Sequence, residues 1–199
     1  MTDQQLQKIR DYAKTKMEKS LSRQHDWDHV QRVANNAVAI ARSLEVKDID
    51  LNLLRAICYL HDITYSQHKP SLRVYFREGK IAYNLLSRQL KPFNLSQKDK
   101  KIALNAIKRH PFAFPFRRLN KKQDVYTKIL QDADFVDTFD PSRVANFIDA
   151  KQSQAFFIKI IKRFWNVEKE LENSRQKIEK YLNFSSLSDL VESIKQGKN

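Results

Sequence analysis

Glycine is nearly missing from this chain of 199 residues: Gly79 and Gly197 are the two present. A glycine-rich phosphate loop or a dinucleotide fingerprint needs several glycines at fixed spacing, so the sequence argues against nucleotide-binding folds of those kinds. Cysteine is rarer still. Cys58 stands alone, which rules out an internal disulfide, and its apolar neighbours read it as a small core residue. No apolar run approaches the length of a membrane span. The amino-terminal MTDQQLQKIRDYAKTKMEKS is polar and amphipathic and has no signal-peptide core. These absences point to the cytoplasm and to no membrane partner. Strand-like alternation with period two is also lacking.

What the chain does have is helical patterning and positive charge. Hydrophobic residues make up 41% and charged residues 30%, which suits one soluble globular domain with an ample core. Apolar residues at helical spacing predict helices over 3–19, 27–45 and 50–60. A further helix is expected from about Ser71 to Pro92, then others from Ser96 to His110 and over 124–139. Asp26, Asp50 and Ser96 are placed to cap helix starts, and Asp140-Pro141 reads as a cap followed by proline at the first helical position. Residues 152–183 read as one long helix and 186–196 as a short last one. The loop HPFAFPFRRLNKKQ, 110–123, mixes prolines, phenylalanines and basic residues. It suits either a substrate base beside a phosphate or a hydrophobic lid.

The formal net charge of +14 attracts phosphates, nucleic acids or anionic surfaces without choosing among them. The chemistry therefore has to come from particular side chains. Five histidines are present: His25, His29, His61, His68 and His110. His25 and His29 share the spacing of the zinc-protease motif, but the intervening glutamate is missing from HDWDH, which argues against a peptidase. In LRAICYLHDITYS an apolar helix face ends in His61 and Asp62, two groups costly to bury unless paired, hydrogen-bonded or metal-bound. Asp132 and Asp134 lie in LQDADFVD, inside another apolar helix. His29, His61, Asp62 and Asp134 would make a mixed nitrogen and oxygen ligand set, suited to Mn²⁺, Fe²⁺, Co²⁺, Ni²⁺ or Zn²⁺ rather than Ca²⁺.

The order H…HD…D on successive helices resembles the HD-domain phosphohydrolases, in particular small stand-alone bacterial members. The resemblance rests on five segments in order: HDWDHVQRV (25–33), AICYLHDI (56–63), REGKIAYNLL (77–86), AIKRH (106–110) and ILQDADFVDTF (129–139). It implies an all-α HD-domain helical bundle with additional C-terminal helices, one domain over 1–199 with its core at about 20–145 and an extension over about 146–199. It also implies a metal-dependent phosphohydrolase with one divalent ion held by His29, His61, Asp62 and Asp134, the alternative being a second ion joined by His110. Asp62 would hold and deprotonate the attacking water. His110 would be a substrate contact or proton donor, and Arg32 would face an acid partner or a phosphate. His25 and Asp26 would orient the helix start, and Asp132 would be structural. His68 has no counterpart and is expected to be an exposed loop residue.

The implied substrate is a small phosphorylated molecule, a nucleotide above all. The glycine that usually follows the DADxxD segment is replaced in DTFDPSRV, which leaves the subgroup open. Two other readings stand beside this one. The positive charge fits an HD nuclease or a protein with weak, non-specific nucleic-acid binding, and the 152–183 helix fits a metal-stabilised scaffold or regulator.

Overall fold

The computed structural model describes residues 1–111, 123–143, 182–184 and 187. Seven helices lie wholly within the described residues: α1 (Asp3–Met17), α2 (Trp27–Ser43), α3 (Leu51–Leu60), α4 (Leu72–Tyr75), α5 (Glu78–Gln89), α6 (Gln97–Arg109) and α7 (Val125–Asp137). Short 3₁₀ turns occupy Ile63–Ser66 and Lys91–Phe93. No strand occurs among the described residues, so the fold is all-α. No helix among them is long and apolar enough to cross a membrane. Most of the expected helices at 152–183 and 186–196, and most of the 110–123 loop with Arg117 and Arg118, lie outside the described residues; Leu182 and Asn183, expected to end the long helix, are not helical.

Helix starts follow the side-chain chemistry of their caps. Asp26 accepts from His29 N, Asp50 from Leu53 N, Ser96 from Asp99 N and Asp124 from Thr127 N, each satisfying a first-turn amide. Asp140 does the same for Ser142 N, where 141–143 open another helical turn.

The helix expected from Ser71 to Pro92 is in fact two. Ser71 caps the single turn of α4, the chain breaks at Phe76 and Arg77, and α5 restarts at Glu78. Two contacts account for the break. Thr64 Oγ1 donates to the Glu78 carbonyl, and Tyr65 OH donates to Glu78 Oε2 at 2.5 Å. Next to them Gly79 lies so close to α6 that a β-carbon there would sit 2.3 Å from the Lys108 carbonyl oxygen. Only glycine permits that approach.

α2 is the central element. Val30, Val33, Ala34, Ala37, Ile40 and Ala41 are buried along it, and it packs against α3 and α7. α1 covers α3, α3 meets α6, and α6 pairs with α5. The apolar face of α3 is buried through Leu53, Leu54, Ala56, Ile57 and Leu60, with Cys58 inside the core. The start of α2, the ends of α3, α6 and α7, and the start of α5 consequently converge on one region.

Candidate metal centre

His61 and His110 reach this region by the same local device. Each follows the last residue of its helix and turns its ring back, so that Nδ1 meets the carbonyl three residues earlier: Cys58 for His61 and Ile107 for His110, both at 2.7 Å. A carbonyl only accepts, so each Nδ1 carries the proton and each Nε2 presents its free side inward. His29, in the first turn of α2, is fixed by a carboxylate: Nδ1 lies 2.7 Å from Asp137 Oδ2. The buried Asp137 is held ionised against its burial by His29, Arg143 and Arg32, so Nδ1 is again the donor.

Three imidazoles thus face one another with the same edge. His29 Nε2 is 3.1 Å from Asp62 Oδ2 and 3.5 Å from Asp134 Oδ1, and His61 Nε2 is 3.3 Å from Asp62 Oδ2. His110 Nε2 is 3.7 Å from the other oxygen, Asp62 Oδ1, and 3.5 Å from Glu78 Oε1. The three rings are each 1% exposed and Asp62 is 3% exposed. None of the three Nε2 atoms, nor Asp62 Oδ2, has a hydrogen-bond partner.

Buried polar atoms without partners are costly, and an Nε2 that is unprotonated is repelled by the carboxylate oxygen it faces. The arrangement calls for positive charge between them. Donor atoms of His29, His61 and Asp134 lie within 4.8 Å of one another, as do those of His61, Asp62 and His110. A divalent transition ion fits this mixed donor set. Arg32 and Arg143 offset Asp134, Asp137 and Asp140, whereas Asp62 and Glu78 face imidazoles.

Electrostatics without such an ion show the same demand. Burial alone would raise the Asp62 carboxyl, but His61, His25, His110 and His29 hold it well below the usual carboxylate range. Burial would lower His110, but Asp62 and Glu78 push it up to about 10. Burial would also raise Asp134; Arg143, His29 and His61 lower it instead.

The remaining expected residues take separate positions. Arg32 reaches the site through an acid: its Nε donates to Asp137 Oδ1 at 2.7 Å and its Nη2 to Asp137 Oδ2 at 3.2 Å. His25 shares a hydrogen bond with Ser22 Oγ and stacks on the Tyr65 ring at 4.1 Å. Asp132 is buried and accepts from the backbone amides of Asn183 and Phe184, tying that short segment to α7. His68 is exposed. Three residues went unrecognised in the sequence: Asp137, Glu78 and Arg143, whose Nη1 donates to Asp134 Oδ1 at 3.2 Å and Asp137 Oδ2 at 3.1 Å. A signal existed for Asp137, since it lies three residues after Asp134 on the same face of α7.

Comparison with known proteins gives a consistent picture. No curated protein matches the chain. Among solved structures, the crystal structure of Bacillus subtilis YpgQ in complex with ADP superposes with a TM-score of 0.63 at 18% identity, over 97% of this chain and 88% of that one. At that identity the likeness is one of fold. The HD domain model matches residues 26–138, from the cap of α2 to the end of α7. HD domains are generally those of metal-dependent hydrolases. That match takes in more than half of the chain and the imidazoles of His29, His61 and His110, and the chain belongs to the HD-domain family.

Proposed function

We propose that this protein is a metal-dependent phosphohydrolase acting on a phosphate ester or anhydride of a small molecule, with nucleotides as the leading substrate class. The observation that carries this reading is the set of three buried Nε2 atoms that face the carboxylates of Asp62, Asp134 and Glu78 and have no hydrogen-bond partner. His29, His61, Asp62 and Asp134 would hold the ion. When bound, a divalent ion supplies Lewis acidity toward a phosphoryl oxygen and makes water more acidic.

The chain's own groups divide the remaining work. Asp62 has one oxygen toward His29 and His61 and the other toward His110, so it can hold a water and take its proton. His110 stands across from it, placed to contact the phosphoryl group or pass a proton to the leaving oxygen. Arg32, committed to Asp137, acts by holding that carboxylate against His29. The ADP in the YpgQ crystal structure supports a nucleotide-sized ligand for the shared fold.

The test is a screen of mononucleotides and other phosphate esters with Mn²⁺, Co²⁺ and Ni²⁺, run beside a salt series on labelled oligonucleotides. Metal-dependent phosphate release is expected from a small ester, with weak and uncleaved oligonucleotide. A nucleic-acid groove making six to ten phosphate contacts loses roughly three to five powers of ten in affinity between about 50 and 200 mM salt. Tight oligonucleotide binding at the upper end, with strand cleavage and no small-ester turnover, would favour the nuclease reading instead.

A further inference from the structure

Glu78 is not part of the expected ligand set, yet it is built into the site more firmly than a surface acid. Its side chain is 14% exposed, and Oε1 lies 3.5 Å from His110 Nε2. Oε2 accepts from Tyr65 OH at 2.5 Å, and the Glu78 carbonyl accepts from Thr64 Oγ1 at 3.0 Å. Both anchors come from the turn that directly follows His61 and Asp62. The Tyr65 ring is itself stacked on His25. Behind Glu78, Gly79 is pressed against the Lys108 carbonyl, two residues before His110. The helix break at Phe76 and Arg77 therefore serves a geometry: it delivers a tethered carboxylate to the inner edge of His110.

His110 needs such a contact. Its hydrogen bond to the Ile107 carbonyl fixes Nδ1 alone. One bond at one nitrogen leaves the ring able to tilt about it. The inner nitrogen has Asp62 on one side at 3.7 Å and Glu78 on the other at 3.5 Å. We propose that Glu78, held by Tyr65 and Thr64, is a positioning residue that sets the direction of His110 Nε2 beside Asp62. The kinetic consequence rests on the phosphohydrolase reading, because His110 is the group that would meet substrate. The ring geometry does not rest on it.

The experiment uses the full chain, with Glu78→Gln and Tyr65→Phe as variants and His110→Gln to assign signals. Proton–nitrogen correlation spectra of the histidine side chains report each ring nitrogen separately. Glu78→Gln should shift the His110 Nε2 resonance while the His29 and His61 signals stay in place; Tyr65→Phe should shift it in the same direction by less. With Mn²⁺ and a hydrolysed ester, Glu78→Gln should lower kcat about 10–100-fold, the usual range for an outer partner of a site histidine, with KM little changed. His110 Nε2 resonances unmoved in both folded variants would overturn the proposal, as would unchanged kcat in a Glu78→Gln protein. If wild type hydrolyses no ester but the His110 resonance shifts as described, the positioning role stands and the hydrolase reading fails.

Discussion

His29 Nδ1 lies 2.7 Å from Asp137 Oδ2, across a sequence separation of 108 residues. The same carboxylate takes Arg32 on its other oxygen and Arg143 on the shared one. It orients the ring from behind, in the manner of the carboxylates that support metal-bound histidines. It also joins α2 to α7 and to the turn that begins at Pro141.

Asp137→Asn is therefore expected to act twice. Removing one partner from a buried charged network costs about 3–5 kcal/mol, read by urea denaturation of the metal-free protein. Divalent-ion affinity should fall by about 10–100-fold. An unchanged denaturation midpoint together with unchanged affinity would show that Asp137 neither ties the helices nor orients His29.

Gly79→Ala sets two known effects against each other. Alanine in a helix is favoured over glycine by roughly 1 kcal/mol. Here its β-carbon would meet the Lys108 carbonyl oxygen at 2.3 Å and the Pro111 ring at 2.8 Å. Neither the carbonyl nor the proline is a flexible side-chain end, so α5 and α6 must separate. Overpacking of this sort costs about 1–3 kcal/mol, and net destabilisation is the expected sign. A more stable Gly79→Ala protein would mean that the two helices part easily.

His25 gives a pH dependence with a definite direction. Burial drives its imidazole down to about 3 from an ordinary 6.5, with Arg143 and His29 pushing the same way against Asp62 and Asp134. Between those two values the unfolded chain binds a proton that the folded protein refuses. Stability from this group is present above about 6.5 and drains away as pH falls toward 3. His25→Phe keeps a ring for the Tyr65 stack and removes the titration. Its stability should be flatter with pH over that window than that of wild type, measured by urea melts at several pH values. Parallel curves for the two proteins would contradict this assignment.

Cys58 offers a check on the core itself. It is free and buried, and burial pushes its thiol far up. The thiolate is the reactive form. A thiol reagent should leave the native protein unlabelled over a period in which the denatured chain reacts fully. Rapid native labelling would place Cys58 at a surface and displace α3 from the position described.

The sequence carries local information well and long-range partnership poorly. The caps at Asp26, Asp50, Ser96 and Asp140 were readable because a cap is a property of a few consecutive residues. The all-α class was readable from period and from the H…HD…D order. The break between α4 and α5 was not, because Val74 and Ile81 are seven apart and keep the helical phase across it. Its causes, Thr64, Tyr65 and Lys108, lie elsewhere in the chain. Nothing beside Arg143 in sequence marks it as a buried partner, and Glu78 lies in the REGKIAYNLL segment without its contact to His110 being legible there. Arg32 was legible as a choice between an acid and a phosphate, and only the fold brings Asp137 to it.

We propose that the inward Nε2 atoms of His29 and His61, with Asp62 and Asp134, bind one divalent ion. Calorimetric titration of Mn²⁺ and Ni²⁺ into metal-stripped protein tests it most directly, with His61→Ala titrated in parallel after its fold is checked by circular dichroism. One ion per chain in wild type and none in the folded variant is the predicted result. No binding to wild type, or equal binding to His61→Ala, would contradict it.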